Sequence, residues 1–109
     1  MKVEQKGHII TIKDTQGNII SFLEKIVNEY HSFKNHNLIL DVTQDANVTL
    51  NEIKLFLELS KTHKKNEKSF VIVANINFNK VPTQLTVVPT LLEAHDIIEI
   101  EEIERDLGF

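Results

Sequence analysis

Apolar residues recur along this chain with two different periods, and the changes of period mark out strands and helices. Alternating apolar and polar residues predict a strand over residues 8–13, paired antiparallel with residues 3–5 across a turn at Lys6-Gly7. Short aliphatic runs at residues 38–42, 70–74 and 85–88 predict three further strands, and the first two suit positions buried on both faces of a sheet. A helical period follows the first two strands, with one stripe predicted to face the core: Ile19, Leu23, Ile26, Tyr30 and Phe33, broadened by Ile20 and Val27.

Capping residues predict where the helices begin. Asn18 is suited to cap the first helix, and Thr49 and Thr90 each stand three residues before a glutamate, which is the pattern of a capping box. The second helix is expected to end near residues 65–66 and to turn one face inward: Leu50, Ile53, Phe56, Leu57 and Ser60. Strands that alternate with helices pair in parallel through right-handed crossovers. The chain is therefore predicted to form one domain over residues 1–109, with an α/β fold, a mixed, mostly parallel sheet of about four to five strands and about three main helices.

Composition narrows the class of protein. Hydrophobic residues make up 41% and charged residues 26% of the chain, as in globular domains rather than disordered segments. The absence of cysteine excludes disulfides, thiolate metal ligands and cysteine nucleophiles, and it fits a reducing compartment. No apolar run follows Met1-Lys2, and none reaches the ~20 residues of a membrane span, so neither a secretory signal nor a membrane anchor is predicted. Together these features predict a cytoplasmic protein.

Charge bears on the choice of partner. A formal net charge of −4 argues against nucleic acid, since phosphate backbones are bound by clustered lysine and arginine. One basic group lies at the end of the predicted second helix, where cations offset the helix dipole, although it would also suit an anion or a partner: Lys61, His63, Lys64, Lys65 and Lys68. The last helix carries the opposite charge, which indicates either a solvated face or an acidic docking surface: Glu93, Asp96, Glu99, Glu101, Glu102, Glu104 and Asp106.

Two segments carry a resemblance to a known family. An apolar strand that ends in aspartate, Leu38-Ile39-Leu40-Asp41-Val42, leads through a loop to an aliphatic helix that begins at Thr49. A short strand then leads into the last helix through a small polar residue and an acid-alanine step, Val87-Val88-Pro89-Thr90-Leu91-Leu92-Glu93-Ala94. Across nearly its whole length the chain resembles a STAS domain, the module of anti-sigma factor antagonists. The resemblance implies a STAS-like α/β fold and a non-catalytic, regulatory function through interaction with a protein partner.

The start of the second helix departs from that family. Phospho-regulated members carry Asp-Ser-Ser-Gly there, and a partner kinase phosphorylates a serine to change partner binding. This chain has Thr49-Leu50-Asn51-Glu52 instead, so the resemblance implies an interaction module without the serine phosphoswitch. Thr49 is predicted to act as the N-cap, with a surrogate phosphoacceptor as the alternative. The predicted partner surface comprises Thr49, Leu50, Asn51 and Ile53.

A small-molecule or nucleotide sensor is the alternative function. Ligands of open α/β sheets bind beyond the carboxyl ends of the parallel strands. Five polar residues are expected at that edge: Asp41, Thr43, Asn47, Asn75 and Thr90. Beside the backbone amides that open the second helix, they would suit an anion, although such side chains also satisfy the backbone of their own loops.

No arrangement of catalytic residues stands out. His31 and His36 lack a third metal ligand at a suitable spacing, and His95 and Asp96 project from different sides of a helix. Short proteins of this kind sometimes carry the label ribonuclease Z, yet no two of the five histidines fit the His-x-His-x-Asp-His motif of that enzyme. The chain is therefore predicted to be no enzyme and to use neither a metal nor a cofactor.

The last helix also indicates spare apolar surface. A stripe offset from the aliphatic residues of its first turns is predicted either to fold back onto the core or to pair with a second copy of the chain. Its members are Ile97, Ile100, Ile103 and Leu107, with Phe109 beyond them. Homo-oligomerisation through this helix thus stays an open alternative.

Overall fold

The structure, a computed structural model, describes residues 1–108. Within them the chain forms five strands and four α-helices, with short 3₁₀ turns at Tyr30–Ser32 and Phe78–Lys80. The strands are β1 (Lys2–Lys6), β2 (Ile9–Lys13), β3 (Asn37–Asp41), β4 (Phe70–Val73) and β5 (Thr86–Val88). The helices are α1 (Ile19–Asn28), α2 (Leu50–Lys54), α3 (Leu57–Lys65) and α4 (Leu91–Asp106). Phe109, named above as part of the spare apolar surface, lies outside the described residues.

All five strands join one mixed sheet in the order β1-β2-β3-β4-β5. β1 and β2 form an antiparallel hairpin, and the turn between them contains Gly7 with a φ of +61°, a conformation that glycine adopts at little cost. The pairs β2–β3, β3–β4 and β4–β5 are parallel. The predicted α/β fold with a mixed, mostly parallel sheet is therefore confirmed.

Helices cover both faces of this sheet. On one face α1, α2 and α3 enclose a large core, in which Ile12, Leu40 and Ile72 of the sheet pack with Phe22 and Phe56. On the other face α4 packs over β3, β4 and β5 and encloses a smaller core: Ile39, Val71, Val73, Val88, Ala94 and Ile98. Because both faces are covered, every residue of β3 and β4 is buried, as the aliphatic runs in the sequence predict.

The outer strand β1 is exposed at every residue. Lys2, Glu4 and Lys6 place charges along this edge, where a strand of another chain would otherwise find unpaired backbone groups. The hairpin therefore gives the sheet an exposed, polar edge strand, whereas β3 and β4 are the strands whose residues are all buried.

The first helix differs from the prediction in its length and in its buried face. Ile19, Phe22 and Ile26 are buried in α1, whereas Ile20 and Val27 are exposed. At 100° per residue, Ile26 lies between Ile19 and Phe22 on the inner face, while Ile20 lies 100° round the helix from Ile19 and Val27 lies 100° from Ile26. The buried stripe is thus narrower than predicted, and the helix is shorter because a 3₁₀ turn follows it.

The predicted second helix is divided in two. Leu55 and Phe56 donate to carbonyl groups three residues earlier, and this 3₁₀ pattern separates α2 from α3. The two segments share a buried face that consists of Ile53, Phe56, Ser60 and His63. The burial of His63 corrects the prediction that this histidine belongs to an exposed basic group at the helix end.

α4 is one continuous helix that buries Ala94 and Ile98. Of the stripe predicted to be spare, Ile97 packs against the smaller core, and the other members face outward: Ile100, Ile103 and Leu107. Among residues 1–108, no helix is long and apolar enough to cross a bilayer.

Candidate functional site

The carboxyl end of β3 holds a buried aspartate whose partners come from its own loop. Asp41 Oδ1 accepts from the Thr43 amide at 3.0 Å and from the Thr43 hydroxyl at 2.6 Å. This is the turn that an aspartate makes when its side chain satisfies the backbone two residues further on. The structure therefore brings Asp41 and Thr43 together, in a loop-closing contact.

The neighbouring strand ends in the same way, which the sequence reasoning missed. Asp14 follows β2, and its Oδ1 accepts from the Gln16 amide at 3.0 Å. The Asp14 amide donates to the Asp41 carbonyl at 2.9 Å and extends the parallel ladder by one bond. The signal available in the sequence was the repeated order of an aliphatic strand followed by aspartate.

The other three residues predicted at this edge are exposed: Asn47, Asn75 and Thr90. The Asn47 amide donates to Asp45 Oδ1 at 3.0 Å within its loop. Thr90 caps α4, because its hydroxyl accepts from the Glu93 amide at 3.1 Å. Each of these contacts joins residues close in sequence, so Asp41 with Thr43, Asn47 and Thr90 belong to three different local turns and caps.

A depression of about 150 Å³ lies beside Asp41, on the uncovered face of the hairpin. Its lining combines two cations with two carboxylates: Lys2, Glu4, Thr11, Lys13, Asp41 and Leu91. Small-molecule pockets usually enclose ~300 Å³ or more. This depression is therefore small for a nucleotide and balanced in charge.

The start of α2 is fixed by the capping box that the sequence predicts. Thr49 Oγ1 accepts from the Glu52 amide at 3.2 Å, and Glu52 Oε1 accepts from the Thr49 amide at 3.0 Å. The Thr49 hydroxyl also donates to Glu52 Oε1 at 3.2 Å. The hydroxyl is thus engaged both as acceptor and as donor, and a carboxylate lies next to it.

The partner surface predicted around this cap is only partly exposed in the structure. Thr49 and Asn51 are exposed and Leu50 is half-buried, but Ile53 is fully buried in the larger core. Ile53 therefore cannot contact a partner, because its apolar side chain is the one that anchors α2. Leu55, which is 50% exposed, takes its place at the surface and was missed because it belongs to the same apolar run.

His63 lies in a buried hydrogen-bonded chain. Its Nε2 donates to the His36 carbonyl at 2.7 Å, so Nδ1 accepts from the Tyr30 hydroxyl at 2.6 Å. Burial lowers the pKa of the His63 imidazole, against the opposing effect of the bond to His36. Burial also raises the pKa of the Tyr30 hydroxyl. Both groups are therefore neutral, and together they join α3 to the turn that follows α1.

A second polar network lies at the opposite edge of the sheet, where the parallel strands begin. Ser69 Oγ donates to Glu101 Oε1 at 2.5 Å, and Arg105 donates to Ser69 Oγ at 3.2 Å and to Asn37 Oδ1 at 3.3 Å. Asn37 Oδ1 also accepts from the Ser69 amide at 2.9 Å. The network fastens the last turns of α4 to the sheet. Its signal in the sequence was Arg105, the single arginine in an acidic helix.

A larger depression of about 510 Å³ borders this network. It is lined by three cations and three carboxylates together with one glycine: Lys64, Glu67, Lys68, Glu101, Glu104, Arg105 and Gly108. The numbers of cations and carboxylates in the lining are equal. The lining residues come from the end of α4, from Lys64 of α3 and from the segment that follows α3.

The whole chain matches no protein-family model and no curated protein. Function has therefore to be inferred from the groups described above. Within residues 1–108, no set of three or more histidine, aspartate or glutamate side chains is placed to hold a metal ion.

Among the buried polar groups described above, Asp41, Ser69 and His63 are held by hydrogen bonds, whereas Asp14 Oδ2 has no hydrogen-bond partner among residues 1–108. Two exposed surfaces combine aliphatic and charged residues. One consists of Asn51 and Lys54 of α2 with Leu55, which follows that helix, and the other is the outward side of α4.

Proposed function

We propose that this protein is a STAS-like module for regulatory protein–protein interaction, without catalysis and without a serine phosphoswitch. The topology supports the proposal, because a hairpin followed by alternating helices and parallel strands is the order that the resemblance implies. The proposal places the protein in the cytoplasm, which fits a chain of 109 residues that contains no cysteine.

The observation that carries the proposal is the exposed start of α2. The capping box holds the first turn, and the buried Ile53 anchors it, so the surface belongs to a rigid element. Asn51 and Lys54 of α2 are exposed and lie three residues apart, and Leu55, which follows the last residue of α2, is exposed beside them in sequence. One aliphatic side chain among polar ones is a composition suited to a small protein interface.

The surroundings of Thr49 make it unsuited to a phosphoswitch. A phosphate on its hydroxyl would break the cap and bring negative charge beside the Glu52 carboxylate, which lies 3.2 Å from Oγ1. In phospho-regulated relatives of the family, a glycine occupies the position of Glu52. The proposal is therefore that partner binding at this surface is constitutive.

Capture of the partner from native cells tests this surface. Tagged wild-type protein should enrich one partner by quantitative mass spectrometry. Asn51→Arg and Leu55→Asp should each reduce that enrichment about tenfold, because a charge placed at an interface costs the partner its contacts and its desolvation. Leu50 is avoided, since it is half-buried and its replacement would confuse binding with folding.

Asn28→Arg is the matched control, because Asn28 is an exposed helical asparagine of α1. It should leave the enrichment unchanged. Circular dichroism and thermal unfolding establish that all three variants are folded. Undiminished capture by folded Asn51→Arg and Leu55→Asp would remove the proposed surface, and an equal loss with Asn28→Arg would show that the effect is not local.

A second candidate function, a sensor of small anions or nucleotides, rests on the depression beside Asp41. Lys2 and Lys13 supply cations there, but the small volume places this function behind the first. A thermal-shift screen with nucleotides and anionic metabolites tests it, since a ligand that binds only the folded state raises Tm. A stabilising ligand whose effect disappears in Lys13→Ala supports a sensor. No shift at millimolar concentrations removes it.

A further inference from the structure

The outward side of α4 exposes four large aliphatic residues. Their exposed fractions are 72% for Leu92, 55% for Ile100, 53% for Ile103 and 65% for Leu107. At 100° per residue, they fall within an arc of about 80°. This arc lies opposite the residues of α4 that pack on the sheet. The last three follow the spacing i, i+3, i+7 of a helix-pairing seam. We call these four residues the α4 stripe.

Carboxylates surround the α4 stripe. Five are exposed: Glu93, Asp96, Glu99, Glu104 and Asp106. Asp96 lies within the arc itself, between Leu92 and Ile100. The single Lys or Arg of α4 is Arg105, whose guanidinium points inward to Ser69 and Asn37. The outward side of α4 is therefore apolar along its centre and uniformly negative beside it.

This charge pattern argues against a second copy of the chain as the occupant. A parallel α4–α4 pair would set Asp96 against Asp96, and an antiparallel pair centred on Ile100 would set Asp96 against Glu104. Like charges that face each other in an interface cost several kcal/mol, of the order seen between mismatched partners. Anionic membranes are disfavoured for the same reason, since interfacial helices that bind them carry lysine and arginine.

We infer that the α4 stripe binds an amphipathic helix of another protein, with aliphatic residues on one side and lysine or arginine beside them. The aliphatic residues would pack on Ile100, Ile103 and Leu107 with helix-pairing spacing. A cation would face Asp96, because a carboxylate desolvated in an interface is stabilised only when it is paired. This surface is separate from the start of α2, since α2 and α4 pack on opposite faces of the sheet.

Synthetic peptides of about the length of α4 test the inference. The first has leucine at i, i+3, i+4 and i+7 and lysine at the remaining positions. The second replaces every lysine by glutamate, and the third is a scrambled form of the first. Calorimetry should detect binding of the leucine–lysine peptide alone, with an affinity that falls as salt is raised. Amide chemical-shift changes should concentrate in residues 92–107.

Two pairs of variants keep the test specific. Ile103→Lys should weaken the leucine–lysine peptide about tenfold, whereas Ile20→Lys, at an equally exposed isoleucine of α1, should change it less than about twofold. Asp96→Lys should likewise weaken binding of the leucine–lysine peptide more than Glu24→Lys does. Glu24→Lys makes the same change in net charge, but on α1. The Asn51→Arg variant should bind the peptide as tightly as wild type does. A loss of partner binding at α2 can therefore be distinguished from a loss of peptide binding at the α4 stripe.

Several results would overturn the inference. They are equal binding of the scrambled or leucine–glutamate peptide, equal losses within each pair of variants, and chemical-shift changes outside α4. Sedimentation that shows a wild-type dimer converted to monomer by Ile103→Lys would assign the stripe to a second copy instead. Binding to phosphatidylcholine vesicles that is lost in Ile103→Lys would assign it to a lipid surface.

Discussion

At the scale of single residues, several buried polar side chains are held by a neighbour. Asp41 accepts from Thr43, Ser69 donates to Glu101, and His63 is bonded on both nitrogens. Buried polar groups in native proteins are normally paired, because an unpaired one costs ~1–3 kcal/mol. These residues therefore support the structure, and His63 is the one whose role can be measured by pH.

The stability of the protein should depend on pH through His63. Burial lowers the folded-state pKa of this imidazole below its usual value of 6.5, so the unfolded chain binds a proton in a range where the folded chain does not. The free energy of unfolding is then expected to fall as the pH drops from about 7 through 6.5. Below the folded-state pKa, both states are protonated and this contribution levels off. Urea denaturation at a series of pH values measures it.

His63→Gln provides the control, because its amide can still donate to the His36 carbonyl and accept from Tyr30. Its stability should vary less with pH over the same interval than that of wild type. An unchanged slope would mean that another group is responsible. If the variant does not fold, NMR titration of the His63 ring in wild type decides, and a pKa at or above 6.5 would contradict the prediction.

At the scale of elements, the sequence predicts starts better than ends. Asn18, Thr49 and Thr90 all cap the helices they were expected to cap, since an N-cap is decided by a few adjacent residues. The break between α2 and α3 has no glycine or proline to announce it. Leu55 and Phe56 are good helix residues that tertiary packing places in a 3₁₀ turn.

The two threonine caps should differ in strength. Thr49→Ala should lower the free energy of unfolding by about 1 kcal/mol or somewhat more, and Thr90→Ala by somewhat less. The reason is that the Thr49 hydroxyl bonds both the Glu52 amide and the Glu52 carboxylate, whereas the Thr90 hydroxyl bonds the Glu93 amide. Urea denaturation of both variants gives the comparison. A larger loss for Thr90→Ala would contradict it, and Thr49→Ser should restore most of the stability.

At the scale of the whole molecule, the order of elements along the chain and the mostly parallel sheet follow from the sequence pattern, but the candidate sites do so only in part. Asp41 and Thr43 meet because they are two residues apart, whereas the placement of Asn47, Asn75 and Thr90 depends on loops whose course no period encodes. Ile53 was predicted both on the inner face of its helix and on the partner surface, and the structure buries it although Asn51, two residues earlier, is exposed. A helix turns by 100° per residue, so neighbours in sequence face different environments.

The core that α1, α2 and α3 enclose should contribute a large share of the stability, and a buried and an exposed phenylalanine test this. Phe56 is fully buried in the larger core, and its ring lies 6.4 Å from that of Phe22, whereas Phe78 is 39% exposed in a 3₁₀ turn. Phe56→Ala should cost about 3–5 kcal/mol through lost burial and a cavity, a large share of the ~5–15 kcal/mol that stabilises a typical domain. Phe78→Ala should cost less than about 1 kcal/mol. Similar losses for both in urea denaturation would mean that the burial of Phe56 does not contribute to the stability as expected.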